Sequence, residues 1–274
     1  MSFDPVNAER LSKQALAIAR LAGRRIVEVY GADECQVSYK SDHTPVTTAD
    51  LAAHRIIVEQ LRELEPRLPV LSEESNHVSY EERMRWSTYW LVDPLDGTQE
   101  FLRRNGEFSV NIALIDDNKP IVGVIVAPVL NVAYFATQGA GAFKQVGDAE
   151  PEHIHVRAAP QPVTVARSRS PKTGPRLQQF LDDLGEHDEI PMGSALKSCL
   201  VAEGVADIYA RLGPTGEWDT AAAQCIVEEA GGYIRDVNSK DLTYNCRESL
   251  INPNFLVFGD DQVDWVQHLP PEAF

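Results

Sequence analysis

Two carboxylates, a glycine and a threonine follow directly after a short apolar run, and this motif constrains the fold more than any other. The apolar run YWLV occupies positions 89–92, and DPLDGT follows at 93–98. The run predicts a buried strand, and acids at a strand end favour a functional site. We expect Asp93 and Asp96 to project from a tight turn onto one side. The glycine and threonine would open a helix whose free N–H groups suit a phosphate.

Further acids lie at the ends of other predicted elements. Glu73 and Glu74 come directly after an apolar run, whereas Asp50 and Asp219 lie near the starts of predicted helices. Mg²⁺ prefers oxygen ligands and leaves coordination positions for water and substrate phosphate. Because acids gathered without a cation repel one another, a cluster of them favours a metal site. Taken singly, each acid is more typical of a turn, a solvated face or a helix cap.

The composition excludes several classes of partner. With 25 basic and 41 acidic residues among 274, the chain has a net charge of −16, which repels a long polyanion such as nucleic acid. No window is long and apolar enough for a membrane span, and the amino terminus lacks a targeting signal. We therefore expect a cytoplasmic protein without stable membrane insertion, while peripheral contact with the cytoplasmic face of the inner membrane stays open. The four scattered cysteines are typical of reduced cytosolic thiols.

Hydrophobic periodicity predicts a mixed α/β chain in two halves. The first half contains amphipathic helices at 7–30 and from Thr48 to Pro66, followed by an antiparallel meander at 108–115, 121–127 and 132–136. The second half alternates helices at 174–184, 194–203 and 220–230 with strands at 206–210 and 233–236. A Pro- and Gly-rich stretch at 145–162 lies between the halves, which predicts subdomains of residues 1–160 and 161–274.

In order along the chain, five motifs resemble those of the inositol monophosphatase superfamily. They are PVTTAD at 45–50, SEE at 72–74, DPLDGT at 93–98, WDTAA at 218–222 and AGG at 230–232. This resemblance implies a Mg²⁺-dependent, Li⁺-inhibited phosphatase. It also implies an α/β fold built as a layered α-β-α-β-α sandwich of two subdomains, with the metals between them. The first subdomain would carry most metal ligands, and the second would carry Asp219 and the nucleotide contacts.

The segments 91–115 and 193–222 resemble one branch of that family in particular. That branch removes the 3′-phosphate of 3′-phosphoadenosine 5′-phosphate, a by-product of sulfate activation, to give AMP. The implied partner is a small nucleotide bisphosphate, and either a monomer or a homodimer is expected. One departure is Pro171, where the branch often has a histidine that contacts the nucleotide.

The resemblance also implies a role for each matching residue. The ligands of two or three Mg²⁺ ions would be Glu73, Asp93, the backbone carbonyl of Leu95, Asp96 and Asp219. The catalytic residues would be Asp50, Glu73 and Thr98: Glu73 and Thr98 would orient a water, and Asp50 would accept a hydrogen bond from Thr98. The substrate contacts would be Glu73, Leu95, Asp96, Gly97, Thr98, Ser194, Lys197, Arg211 and Asp219.

Three other functions stay open at this point. A related enzyme on the same fold would hydrolyse inositol monophosphate or another sugar phosphate. A phosphatase of a different class would use Asp93 as a covalent nucleophile, although its D-x-D spacing does not fit Asp96. A catalytically silent regulator would bind metal or nucleotide only, and it would need neither Asp50 nor Thr98.

Overall fold

The computed structural model describes residues 4–31, 37–39, 45–75, 78–169 and 174–274. Two β-sheets of seven and five strands, separated and flanked by helices, organise these residues, and a further sheet has only two short strands. The helices are α1 (Pro5–Gly31), α2 (Thr48–Arg62), α3 (Tyr80–Arg83), α4 (Thr98–Leu102), α5 (Pro175–Leu184), α6 (Leu196–Ala202) and α7 (Glu217–Glu229). The strands are β1 (Val37–Tyr39), β2 (Pro45–Thr47), β3 (Val70–Ser72), β4 (Thr88–Asp96), β5 (Ser109–Asp116), β6 (Lys119–Ala127), β7 (Val132–Thr137), β8 (Gly141–Val146), β9 (Glu152–Ile154), β10 (Val163–Ser168), β11 (His187–Met192), β12 (Ile208–Arg211), β13 (Tyr233–Asp236) and β14 (Phe255–Phe258). Short 3₁₀ helices, Trp265–His268 and Pro271–Ala273, follow β14.

The first layer contains α1 and α2, which pack on one face of the larger sheet. Apolar residues recur along α1 at helical spacing, so that Leu11, Ala15 and Ile26 have no exposed surface. The start of α2 is fixed by a capping box between Thr47 and Asp50. Both predicted helices are confirmed, although α2 ends at Arg62 and not at Pro66. None of the described helices has the length and apolar character that a membrane span requires.

The larger sheet has seven strands in the order β3-β4-β5-β6-β7-β8-β9. Neighbouring strands are antiparallel except for β3 and β4, which run parallel. Because helices cover both faces, nearly all residues of β5 and β6 are buried, and both strands are mostly apolar. The predicted meander is confirmed, and the structure extends it by β8 and β9.

The smaller sheet and the remaining helices complete the layers. α6 and α7 lie between the two sheets, and the smaller sheet has the order β11-β10-β12-β14-β13. Its other face is covered by α5 and by the 3₁₀ helix that contains Trp265. Successive residues of β12 face opposite sides, since Tyr209 packs with the central layer and Ala210 with the outer one. The α-β-α-β-α sandwich expected from the family resemblance is therefore observed.

The chain crosses from the larger to the smaller sheet between Ile154 and Val163. Strand β9 lies inside the Pro- and Gly-rich stretch 145–162, so the connection is shorter than the composition suggests. The predicted start of α7 at Thr220 is three residues late, because the helix begins at Glu217. Strands β10, β11 and β14 were not predicted. The division into subdomains of residues 1–160 and 161–274 stays a prediction.

Gly123 on β6 allows α7 to approach the larger sheet. A Cβ atom there would overlap the carbonyl oxygen of Ala222 and lie 2.9 Å from the Cβ of Cys225. We expect Gly123→Ala to lower the free energy of unfolding by about 1–3 kcal/mol, because the packed layer cannot expand without strain. Urea unfolding measures this change. Gly31→Ala is the control, since within the described part of the chain no atom beyond its own helix lies within 4 Å of its Cβ position. Equal stability of the two variants would contradict the expectation.

Candidate active site

The centre of the site is an irregularity at the end of strand β4. Asp93 lies opposite Asn111 of β5 and Asp96 lies opposite Ser109, so that three steps on β4 match two steps on β5. In a regular strand, residues three apart point to opposite faces. The extra residue of this bulge lets Asp93 and Asp96 share one face. The expected tight turn is therefore wrong in detail: both acids belong to a bulged strand, and the N–H of Leu95 donates to Asp93 Oδ1 at 3.0 Å.

Three carboxylates from separate elements meet beside this bulge. Ligand oxygens of Glu73, Asp93 and Asp219 lie within 4.8 Å of one another. Glu73 is placed by the parallel pairing of β3 with β4, because its N–H donates to the carbonyl oxygen of Val92 at 3.0 Å. Asp219 lies in the first turn of α7, where its Oδ2 accepts from the N–H of Gly216 at 2.9 Å. The structure thus brings together acids that are far apart in the sequence.

The surroundings make the ionised forms of Asp93 and Asp219 costly. Burial, followed by repulsion from Glu73, raises the pKa of Asp93 well above its usual value. Burial, followed by repulsion from Asp96, raises the pKa of Asp219 to about 7. Hard oxygen donors that repel one another in a buried place fit a divalent cation such as Mg²⁺. The chemistry of this donor set therefore fits the metal that the family resemblance implies.

Asp96 is held by contacts from both sheets. Its Oδ2 accepts from the side-chain amide of Asn111 at 3.3 Å and from the N–H of Ala195 at 2.5 Å. Ser109 in turn donates to Asn111 Oδ1 at 2.8 Å. Burial raises the pKa of Asp96, while the charge of Lys197 and the N–H of Ala195 lower it. Asp96 is thereby oriented toward the cleft between the sheets.

Thr98 and Asp50 form the hydrogen bond that was expected of them. The hydroxyl of Thr98 donates to Asp50 Oδ1 at 3.3 Å. Asp50 Oδ2 accepts from the N–H of Thr47 at 2.8 Å and from its hydroxyl at 2.5 Å. Asp50 is therefore fixed by the start of α2 on one side and faces Thr98 on the other. Burial raises the pKa of Asp50.

A cavity of about 180 Å³ opens from the acids toward the smaller sheet. Six of the residues predicted for the site line it: Asp96, Gly97, Ser194, Lys197, Arg211 and Asp219. The buried ammonium of Lys197 donates to the carbonyl oxygen of Ser194 and lies 5.2 Å from the ring centroid of Tyr209. Arg211 donates to Thr215 Oγ1 at 2.6 Å and to the carbonyl oxygen of Pro214 at 2.9 Å. One wall of the cavity is therefore acidic and the other carries two cations.

Leu95 and Gly97 complete the predicted set. The carbonyl oxygen of Leu95 lies 3.5 Å from the hydroxyl oxygen of Thr98, farther than the Asp50 oxygen that accepts the proton, and the Leu95 side chain is buried. Gly97 precedes α4 with φ of +94°, a conformation that favours glycine. A Cβ atom at Gly97 would lie 3.3 Å from the carbonyl oxygen of Glu107. Glycine therefore lets the start of α4 pack against Glu107 and Phe108 at this point, where Gly97 also lines the cavity.

Several residues at the site were missed by sequence reasoning. They are Glu100, Glu107, Ser109, Asn111, Ser168, Arg169 and Tyr209. A usable signal existed for Ser109 and Asn111, because polar residues at alternate positions of an otherwise apolar strand favour a polar contact at one face. For Glu107 and Arg169 no local pattern predicts the pairing. Pro171, where a histidine contact was expected to be missing, lies outside the described residues.

The fold and the acid cluster together define the family. The chain belongs to the inositol monophosphatase family, which it matches over residues 7–260. It is 50% identical over 246 residues to the 3′(2′),5′-bisphosphate nucleotidase CysQ of Salmonella typhimurium, covering 89% of this chain and 98% of that protein. The corresponding protein of Escherichia coli strain K12 is 49% identical over the same shares of both chains.

Solved structures show the same architecture. CysQ from Bacteroides thetaiotaomicron, a bacterial member of the inositol monophosphatase family, aligns with a TM-score of 0.81 at 39% identity. That alignment covers 91% of this chain and 97% of the other. The extragenic suppressor protein SuhB from Bartonella henselae aligns with a TM-score of 0.79 at 27% identity, covering 96% and 99% of the two chains. The similarity therefore spans both sheets.

Mg²⁺ should stabilise the folded protein by relieving repulsion among the clustered acids. At a Mg²⁺ concentration about 100 times the dissociation constant, the expected gain is about 2.7 kcal/mol, seen as a rise in Tm. Asp219→Asn keeps an oxygen that accepts from Gly216 but loses one negative charge. We expect this variant to gain much less from Mg²⁺, as measured by thermal unfolding. Asp188→Asn, at an exposed position, is the control, and equal Mg²⁺ responses of the two variants would contradict a metal site at Asp219.

Proposed function

We propose that this protein is a Mg²⁺-dependent phosphomonoesterase that hydrolyses the 3′-phosphate of 3′-phosphoadenosine 5′-phosphate, giving AMP and phosphate in sulfur assimilation. The observation that carries the proposal is the convergence of Glu73, Asp93 and Asp219 within 4.8 Å beside a cavity that also carries Lys197 and Arg211. The activity stated in the names of its CysQ relatives supports the same substrate. A bisphosphate fits the division of the cavity into an acidic and a cationic wall.

The metal ligands in this proposal are Glu73, Asp93, the carbonyl oxygen of Leu95, Asp96 and Asp219, which would hold two or three Mg²⁺ ions. When bound, Mg²⁺ supplies charge stabilisation for the phosphoryl oxygens and makes a coordinated water more acidic. Inhibition by Li⁺ belongs to the same proposal.

Thr98 and Asp50 would orient the attacking water. Because Asp50 accepts the hydroxyl proton of Thr98, the lone pairs of the Thr98 oxygen are free to accept a hydrogen bond from that water. Glu73 would hold the same water from the other side. The N–H groups of Gly97 and Thr98 would bind oxygens of the phosphoryl group at the start of α4. Water attacks the phosphorus directly in this arrangement, and no phosphoenzyme is formed.

Ser194, Lys197 and Arg211 would bind the rest of the nucleotide. Lys197 is buried, and its charge is offset by Asp96 and by the ring of Tyr209. In a chain with a net charge of −16, two cations in one cavity are suited to the phosphate that is not removed. Binding of this second phosphate would make the enzyme prefer a bisphosphate over an inositol or sugar monophosphate.

We also place the enzyme in the cytoplasm. The described cysteines Cys199, Cys225 and Cys246 are free thiols, in agreement with a reducing compartment.

The substrate assignment is tested by phosphate release from a panel of phosphomonoesters. With Mg²⁺, we expect the highest kcat/KM for 3′-phosphoadenosine 5′-phosphate, loss of activity with a chelator, and inhibition by Li⁺. Equal or better turnover of inositol 1-phosphate or fructose 1,6-bisphosphate would overturn this substrate and leave the family activity standing. No turnover of any member would favour the silent regulator.

Thr98→Ala tests the role of the hydroxyl. We expect kcat to fall by about 10²-fold or more, because the attacking water loses its positioned acceptor. The rise in Tm with Mg²⁺ should persist, since Thr98 supplies no carboxylate to the cluster. Thr98→Ser, which retains a hydroxyl, should recover most of the activity. Unchanged kcat in Thr98→Ala would remove Thr98 from the mechanism.

A further inference from the structure

An ion pair connects the larger sheet to the smaller sheet beside the cavity. Glu107 follows α4 on the side of the larger sheet, and Arg169 follows β10 of the smaller sheet. Arg169 Nε donates to Glu107 Oε2 at 2.8 Å and Nη2 donates to Oε1 at 2.5 Å. Arg169 also donates to the carbonyl oxygen of Pro191 at 3.0 Å. This two-pronged contact ties together elements that come from different sheets.

The same carboxylate also holds the segment 193–197. Glu107 Oε2 accepts from the N–H of Gly193 at 2.9 Å. The backbone of Glu107 approaches Gly193 so closely that a Cβ atom at Gly193 would overlap the Glu107 carbonyl oxygen and lie 2.9 Å from the Glu107 Cβ. Glu107 therefore packs against the start of the segment 193–197 with both its carboxylate and its backbone.

That segment carries the contacts proposed for the second phosphate. Ser194 adopts φ of +49°, which a serine holds only when its surroundings impose it. The N–H of Ala195 donates to Asp96, and the ammonium of Lys197 donates to the carbonyl oxygen of Ser194. A shift of the segment would therefore move Ser194 and Lys197 relative to the acids.

We propose that Glu107 and Arg169 are positioning residues, which set the distance between the acid cluster and the contacts for the second phosphate of the substrate. This inference rests on the proposed function. The pair touches neither of the reacting groups, so its effect is transmitted through Gly193 to Ser194 and Lys197. A substrate that uses only the acidic wall is insensitive to this distance, whereas a bisphosphate must reach both walls at once.

The pair Arg157–Asp207 offers a matched control elsewhere in the chain. Arg157 Nε donates to Asp207 Oδ1 at 2.7 Å and Nη2 to Oδ2 at 3.0 Å, and Asp207 also accepts from the N–H of Thr164. The two arginine side chains are similarly exposed, at 39% for Arg157 and 43% for Arg169. Neither pair lines the cavity itself, but Glu107 accepts from Gly193, which does line it, whereas Asp207 accepts from Thr164, which does not. Replacing Arg169 or Arg157 therefore removes the same kind of contact at two different places in the chain.

The experiment compares Arg169→Ala with Arg157→Ala on two substrates, 3′-phosphoadenosine 5′-phosphate and adenosine 3′-monophosphate. In Arg169→Ala, we expect kcat/KM for the bisphosphate to fall about tenfold or more, mainly through KM, with less than about a threefold change for the monophosphate. Arg169→Lys keeps the charge but not the two-pronged geometry, so its kcat/KM for the bisphosphate should lie between those of Arg169→Ala and the wild type. Arg157→Ala should leave the ratio of the two substrates unchanged.

Two results would overturn the proposal. One is an unchanged substrate ratio in Arg169→Ala, and the other is an equal loss for both substrates, which would indicate only a general loss of structure. Hydrogen exchange without substrate gives a separate readout: the amides of 193–197 should exchange about tenfold faster in Arg169→Ala but not in Arg157→Ala. If the wild type hydrolyses neither nucleotide, the proposed function fails, and these exchange rates alone decide whether Glu107 and Arg169 hold the segment.

Discussion

Repulsion among three clustered carboxylates, of which Asp93 is buried and Glu73 and Asp219 are half-buried, is the constraint around which this site is arranged. Glu73, Asp93 and Asp219 are each held from outside the cluster, by strand pairing, by the bulge on β4 and by the first turn of α7 respectively. Those backbone contacts force together groups that would otherwise separate. A bound divalent cation removes the repulsion, which couples metal binding to the stability of the whole cleft.

The β4 bulge shows how a small backbone irregularity produces a site. Without it, Asp93 and Asp96 would face opposite sides of a sheet that is covered by helices on both faces. One would then be buried against α1 and α2, and the other would face α6 and α7. With the bulge, both lie on the side of Asn111 and Ser109, and Asp96 reaches across to the N–H of Ala195 in the other wall.

The cavity lies between two sheets, and its two sides supply different chemical groups. The ends of strands β3 and β4 supply Glu73, Asp93 and Asp96, with Gly97 and Thr98 directly after β4, and α7 supplies Asp219. The smaller sheet and α6 supply the cations Lys197 and Arg211. In the function proposed here, substrate recognition depends on how the two walls are held relative to each other, and Glu107 and Arg169 connect the two sheets beside the cavity.

Local patterns accounted for much of the fold, because they require only neighbouring residues. The spacing of apolar residues in α1, the cap at Thr47 and the apolar runs of the meander predicted elements that the structure contains. The ends of the elements were predicted less accurately. Helix α7 begins earlier than predicted, and strand β9 occupies part of the stretch 145–162 that was expected to connect the two halves. Strand β10 was missed, because it lies next to a Pro-rich segment whose composition is typical of a loop.

The sequence by itself determined which side chains can hold Mg²⁺ and phosphate, since carboxylate, hydroxyl and ammonium chemistry does not depend on the fold. Its motifs also indicated a family. Only the tertiary structure decided that Glu73, Asp93 and Asp219 meet, that a bulge turns Asp96 to the same face, and that Arg169 pairs with Glu107. The physical reason is distance along the chain: Arg169 lies 62 residues from Glu107, and Ala195 lies 99 residues from Asp96. Contacts of that separation follow from strand register and layer packing, which no local pattern encodes.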